Sequence, residues 1–188
     1  MSLLSFIKRK ILRLSKDRWN YQYEQGQWDG LQNEQERFEV VISFLKKHFV
    51  KPTILEIGCG EAILLRKLKK EEFDTFVGID LSDVAIQNAQ VYQNERVAFE
   101  AADMEDYQPK QFFDAIIFTE SFYYSKNPAK ILHRYTDYLT ENGIFIISAV
   151  ENKYTSTLWV SIENSFKVID SQVIEKDRIM WNVKVVER

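Results

Sequence analysis

The 188-residue sequence predicts an α/β three-layer sandwich on a mostly parallel, seven-stranded sheet that closes with an antiparallel β-hairpin. Three observations carry that expectation. From Thr53 onward, short apolar runs alternate with helical segments, the pattern of parallel strands covered on both faces. A turn holding two glycines, Gly58-Cys59-Gly60, joins the first apolar run to the segment after it. The last two β-rich runs, Phe166–Ile174 and Ile179–Val186, are separated only by 175–178 and read as a hairpin.

The elements follow in order. Leu3, Leu4, Ile7, Ile11 and Leu14 stand at helical spacing among basic residues, which predicts an amphipathic basic helix. Residues 17–30, dense in aromatic and amide side chains (Trp19, Tyr21, Tyr23, Trp28), are too polar for a regular buried element and suit a flap. Phe38, Val41, Ile42, Leu45 and Phe49 mark an amphipathic helix over Glu34–Phe49 that stops before Pro52. Strands are expected at Thr53–Ile57, Thr75–Ile79, Val97–Ala101, Phe113–Phe118 and Gly143–Val150. Helices are expected at Glu61–Lys70, Ser82–Tyr92 and Pro128–Leu139. Ser82 caps the second of these, Pro128 suits the first turn of the third, and Asn142-Gly143 breaks the chain before the fifth strand.

Composition narrows the function. Hydrophobic residues make up 45% and aromatic residues 14%, with only 6 Gly and 3 Pro, which places the chain among globular proteins rather than disordered ones. Its length suits one domain of ordinary size. The lone Cys59 excludes an internal disulfide framework and a thiol metal cage, and a reducing cytoplasm is the expected compartment. No apolar run approaches the ~20 residues of a membrane span. Six basic residues in 1–18 against Asp17 give +5 there, so the remainder carries −8 of the total −3, a poor match to nucleic acid. The basic end could lie on an anionic membrane surface, or simply pack on the domain; a mitochondrial leader is disfavoured by its lysines and its unbroken run into Trp19.

The chemistry concentrates at strand ends. In Ile54-Leu55-Glu56-Ile57-Gly58-Cys59-Gly60-Glu61-Ala62, two glycines let a ligand approach backbone where a side chain would collide. A dinucleotide fingerprint wants a small residue three after Gly60, and Ile63 stands there. Asp80, 22 residues after Gly58, ends the second strand, where a ribose diol would meet its two oxygens. The third strand ends in Ala101-Ala102-Asp103-Met104, and the fourth runs through Phe118-Thr119-Glu120-Ser121-Phe122-Tyr123-Tyr124. His48 and His133 have no metal-ligand spacing, and no metal is expected.

The spacing from Glu56 through Gly58, Gly60 and Ala62 resembles the motif of class I, Rossmann-like methyltransferases, with alanine replacing the last glycine. The resemblance runs from about Phe38 to Val150, and the terminal hairpin agrees with that fold. It implies S-adenosylmethionine as cofactor, held by Glu56, Gly58, Cys59, Gly60, Asp80 and Thr119, with Leu81 against adenine, Asp103 on its amino group and Met104 in apolar contact. The fourth-strand segment resembles the one joining cofactor and acceptor pockets in that family. Glu120 is then the candidate catalytic base or acceptor-orienting group. Tyr123, Tyr124 and Trp28 are candidates to line the acceptor site, closed over by the flap of 1–33 on the methyltransferase domain of 34–188. The short length and the Glu120-x-x-Tyr123-Tyr124 ending resemble small sugar-modifying enzymes related to nodulation-factor N-methyltransferases, implying a small-molecule or saccharide acceptor.

Two other readings remain open on the sequence. One is a non-catalytic partner or membrane-surface module that keeps the fold and works through its basic N-terminal helix. The other is a nicotinamide-dependent oxidoreductase, disfavoured by Ile63, by length and by the lack of a Tyr-x-x-x-Lys pair after the fourth strand.

Overall fold

The computed structural model describes residues 14–30 and 35–188. Seven strands form one sheet: β1 (Ile54–Ile57), β2 (Phe76–Asp80), β3 (Val97–Ala101), β4 (Phe113–Thr119), β5 (Leu139–Val150), β6 (Lys167–Lys176) and β7 (Ile179–Glu187). Their spatial order is β3-β2-β1-β4-β5-β7-β6, parallel throughout except for β7, which runs antiparallel to both β5 and β6. The three-layer sandwich with its terminal hairpin is therefore the fold of this chain.

Alternation of side chains divides the core into two layers. Ile54, Phe76, Ile117 and Ile146 face one side with helices α2 (Gln35–His48), α3 (Ile63–Lys67) and α4 (Asp83–Ala89). Leu55, Ile79, Phe118 and Ile147 face the other, with α5 (Pro128–Tyr135) and α6 (Lys153–Glu163). Both layers bury strand residues completely, which explains why the parallel strands read as continuous apolar runs.

Four local outcomes differ from the sequence expectations. The stretch that suits a flap contains a nine-residue helix, α1 (Lys16–Glu24), capped by the Ser15 hydroxyl on Arg18 N–H. Its pattern conceals it because the buried residue is Gln22 and not part of an apolar stripe. The helix after β1 is only Ile63–Lys67, since Ala62 enters it in a left-handed conformation and Leu68 leaves it extended. The Asn142-Gly143 break does not interrupt β5, which begins at Leu139 opposite Phe113 and absorbs its irregularity as a register shift between Phe113 and Ala115. Finally, α6 follows β5 without an apolar stripe; its start is fixed by a capping box between Asn152 and Thr155, and Trp159 and Ile162 anchor it. The basic helix expected over residues 3–14 lies almost wholly outside the described residues. No helix among the described residues is long and apolar enough to cross a membrane.

The β6–β7 hairpin turns through two residues, Asp177 and Arg178, both at positive φ (50° and 64°), the conformation that matches strand twist in two-residue loops. Arg178 bears the steric cost of a left-handed backbone that glycine avoids. Arg178→Gly is expected to stabilise the protein by about 0.5–1 kcal/mol, after the loss of unfolded-chain freedom is deducted. A urea midpoint that stays put or falls would contradict that account of the turn.

Candidate functional site

The strand order reverses at β1, whose neighbours are β2 on one side and β4 on the other, so the crevice of this sheet opens at their carboxyl ends. The glycine turn lies there. Gly58 and Cys59 both donate to Ile79 O at 2.8 and 2.9 Å, and Gly60 N–H donates to Asp80 Oδ2 at 2.9 Å. Gly58 has φ +78°, and a Cβ on it would collide with Ser121, whose hydroxyl donates to Ile57 O. The loop after β4 thus packs directly on the turn after β1, and only glycine permits it. Ala62, at the last position of the motif, adopts φ 61° without a glycine's freedom.

Asp80 is 8% exposed and accepts from Gly60 N–H and, at 2.9 Å, from Ser82 N–H. Burial pushes its carboxyl above the usual range, opposed by these backbone donors. Ser82 extends the network: its hydroxyl caps α4 at Ala85 N–H and donates to Asn20 Oδ1 at 2.8 Å. Asn20 belongs to α1, so the carboxylate under the turn indirectly seats the N-terminal helix, helped by an exposed Lys16–Asp83 ion pair. From α1, the Tyr23 hydroxyl reaches the glycine turn, 2.9 Å from where a Gly60 Cβ would stand. Burial, with Asp80, Cys59, Glu61 and Tyr124 nearby, raises the Tyr23 phenol far above its ordinary value. Trp19 meets Tyr124 edge-on at 5.1 Å and Trp28 at 5.5 Å, so an aromatic roof spans from α1 to the loop after β4.

On the α2 side of the sheet, alternation brings Glu56, Asp80, Thr119 and Ser148 to the ends of four adjacent strands. Glu56 is 2% exposed, and its carboxyl is pushed up to about 8, chiefly by burial and further by Asp80. Thr119 and the guanidinium of Arg37 pull it partly back. The Thr119 hydroxyl lies alongside, yet neither Thr119 Oγ1 nor Glu56 Oε2 completes a hydrogen bond of ordinary geometry. Glu120, at φ 58°, turns its carboxylate back over β5, where it accepts from Ser148 Oγ (2.8 Å), Val150 N–H (2.9 Å) and Tyr123 OH (3.0 Å). Arg37 Nη1 stands 4.0 Å from Glu120 Oε1.

The expected residues therefore separate by what they present. Glu56, Gly58, Gly60, Asp80 and Thr119 come together at the crevice. Cys59 does not present its thiol: Sγ is buried, donates to Gly60 O, and lies where a Gly78 side chain would stand. Tyr123 is 5% exposed with its hydroxyl on Glu120, whereas Tyr124 and Trp28 are half-buried members of the roof cluster. Asp103 and Met104 sit just beyond β3, half-buried, with Asp103 Oδ1 accepting from Glu105 N–H; Leu81 is half-buried after β2. Among the described residues, no group of three or more His, Cys, Asp or Glu is placed to hold a metal ion.

Two arginines escape the sequence reading. Arg37, 4% exposed, begins the buried face of α2; its signal is an arginine in phase with Val40, Val41 and Phe44. Arg134 on α5 donates to the carbonyls of Met104 (3.0 Å), Glu105 and Tyr107, and Tyr135 OH also donates to Met104 O at 3.0 Å. Together they pin the loop that carries Asp103. Nothing local in the sequence marks Arg134, because its acceptors are backbone atoms 27–30 residues away.

The sequence profile of the methyltransferase domain matches residues 25–180, and this chain belongs to that family. It is 25% identical over 130 residues to the malonyl-[acyl-carrier protein] O-methyltransferase of Bacillus cereus, covering 66% of this chain and 48% of that protein. The chain spans about half the length of the curated relatives it matches. The fold is shared with the N-methyltransferase NodS of Bradyrhizobium japonicum, solved with S-adenosyl-L-homocysteine (TM-score 0.64, 15% identity, 79% of this chain and 86% of that one). It is shared also with the plantazolicin methyltransferase BpumL, solved with the same ligand (TM-score 0.67, 15% identity, 98% of each chain).

Two outcomes test this geometry. Glu120→Ala removes the acceptor of Ser148 Oγ, Val150 N–H and Tyr123 OH, and is expected to cost about 1–3 kcal/mol in denaturant unfolding, the penalty of donors left unsatisfied; a loss below about 0.5 kcal/mol would mean those donors do not depend on it. Arg134→Met keeps the stem but removes charged hydrogen bonds worth roughly 1.5–3 kcal/mol each in favourable settings. Amide exchange should then quicken across 103–107 and stay unchanged in β1 and β4.

Proposed function

We propose that this chain is an S-adenosylmethionine-dependent methyltransferase that passes the methyl to an oxygen or nitrogen of a small-molecule or saccharide acceptor. The observation that carries the reading is the buried Asp80 carboxylate bridging the glycine turn and the start of α4 at the switch point of the sheet. Family membership supports it, because this is where the motif residues converge. The crevice also fits such a cofactor on its own terms: it holds a glycine turn against which Ser121 and the Tyr23 hydroxyl pack closely, and two deeply buried polar atoms, Glu56 Oε2 and Thr119 Oγ1, that want a partner.

In this reading Gly58 and Gly60 admit the cofactor to the backbone, with Cys59 shaping the turn from below. Asp80 receives the ribose, Leu81 and Met104 flank the adenine, Asp103 takes its amino group, and Glu56 and Thr119 face the tail. The bound cofactor supplies an electrophilic methyl on a positive sulfur, so the protein has chiefly to align the acceptor and exclude water. Alignment of that kind is worth up to about 7–11 kcal/mol of barrier. Glu120 serves as the acceptor-orienting group: three donors hold its carboxylate in one orientation over β5. Tyr124 and Trp28 line the acceptor side with Tyr123 braced behind them, and residues 14–30 form the cover through Trp19 and Tyr23.

The acceptor class rests on the flat aromatic surfaces of that cover, which suit rings. Titration calorimetry tests the cofactor assignment directly: S-adenosylmethionine and S-adenosylhomocysteine should both bind the folded protein, and NADH should not. Asp80→Ala should weaken binding at least tenfold, since charge-assisted hydrogen bonds are worth roughly 1.5–3 kcal/mol each. Unaltered affinity in a folded variant would remove Asp80 from the site.

A further inference from the structure

The carboxyl ends of β2, β1 and β4 bring three carboxyl groups to one neighbourhood on the α2 side of the sheet, and they are supplied very differently. Asp80 accepts from the backbone N–H groups of Gly60 and Ser82. Glu120 accepts from Ser148, Val150 and Tyr123. Glu56 lies between them on the central strand, 2% exposed, with Oε2 meeting no donor at ordinary hydrogen-bond geometry and only the Thr119 hydroxyl beside it to draw the carboxyl partly down. Among the described residues one guanidinium, Arg37 from α2, faces this neighbourhood, 4.0 Å from Glu120 Oε1. Among the described residues the remaining titratable groups facing Glu56 are Asp80 on β2, whose charge opposes its ionisation, and the buried Cys59 thiol after β1, itself pushed up by burial and by both acids. Among the described residues one cation faces three carboxyl groups, of which Glu56 and Asp80 are buried, and of that buried pair the one with fewer donors is the one that stays protonated.

We propose that Glu56 is held as the neutral acid in the ligand-free protein and releases its proton to solvent when the ammonium end of an amino-acid-bearing nucleoside enters the crevice. The proposal rests on the cofactor reading above and adds a proton to it. The entering ammonium provides both the positive charge and the N–H donors that Glu56 Oε2 lacks, so the carboxylate becomes the stable form; the proton lost from Glu56 goes to bulk water and no covalent bond to carbon changes. A carboxyl that titrates near 8 without ligand binds a proton at pH 7 and gives it up on complex formation. The sign follows: the complex holds fewer protons than the free protein, so affinity rises as pH increases toward about 8 and levels off above it. Thr119, on the same face of the neighbouring strand, can then direct its hydroxyl to the carboxylate.

Calorimetry with S-adenosylhomocysteine in buffers of different ionisation enthalpy reads the proton directly. At pH 7 close to one proton should be released per ligand, and the dissociation constant should fall about tenfold per pH unit between pH 6 and 7.5. Glu56→Gln, which keeps the neutral shape of the native acid, should still fold and should bind with no such release and a flat pH profile. 5′-Methylthioadenosine, which has the nucleoside and no amino-acid tail, should bind without releasing a proton. In the ligand-free protein at pH 7, a protonated-carboxyl infrared band should be present, absent from Glu56→Gln, and lost when S-adenosylhomocysteine is added. Binding of S-adenosylhomocysteine with no proton released, or release undiminished in Glu56→Gln, overturns the inference and leaves the cofactor reading standing. Failure of S-adenosylhomocysteine to bind overturns both.

Discussion

The hydrogen bonds of one buried carboxylate, Asp80, fix the geometry on which the rest of the site depends. Burying an acid in a sheet costs free energy unless donors meet it, and here the donors are the backbone of the glycine turn and of the start of α4. The same contact therefore satisfies the acid and sets the turn. It also reaches outward: Ser82, held by Asp80 through its N–H, uses its hydroxyl both to cap α4 and to meet Asn20 of α1. A chain of polar contacts runs from the floor of the crevice to its cover, and the aromatic side chains of that cover close on the loop after β4. Floor and roof are thus parts of one network.

Much of this was legible in the sequence, for identifiable reasons. The parallel strands are buried on both faces, which leaves apolar runs too short for helices, and the glycine turn needs conformations and clearances that few other residues tolerate. The last two strands declare themselves by their β-rich composition on either side of a short gap. Where legibility failed, the stabilising contacts are long-range or polar. α1 docks through Asn20, Gln22 and aromatic edges, and no period-3.6 apolar stripe describes that. α6 is rich in Ser, Thr and β-branched residues and owes its existence to a cap and to Trp159 and Ile162 in the core.

The site was legible by position and less so by direction. Strand-end placement locates Glu56, Asp80 and Glu120, but three acids on three adjacent ends look alike as letters. Their environments differ because of features that no local pattern contains: the positive φ that turns Glu120 over β5, the backbone donors beneath Asp80, and the arginine that α2 contributes from 19 residues before Glu56. Cys59 shows the same limit in reverse, since its place in the motif says nothing of a thiol directed beneath Gly78.

These differences assign work within a set of like groups. A carboxylate with several fixed donors is a stable anion and a rigid one, suited to holding a turn or orienting an acceptor. A carboxyl buried with almost none keeps its proton until a cation arrives, and is suited to sensing that cation. Methyl transfer asks little acid or base strength from the protein and much alignment, so a fold serves it best by making most of its acids structural. In this chain Asp80 and Glu120 each have fixed donors that set their orientation, and the Oε2 of Glu56 on the central strand has none of ordinary geometry.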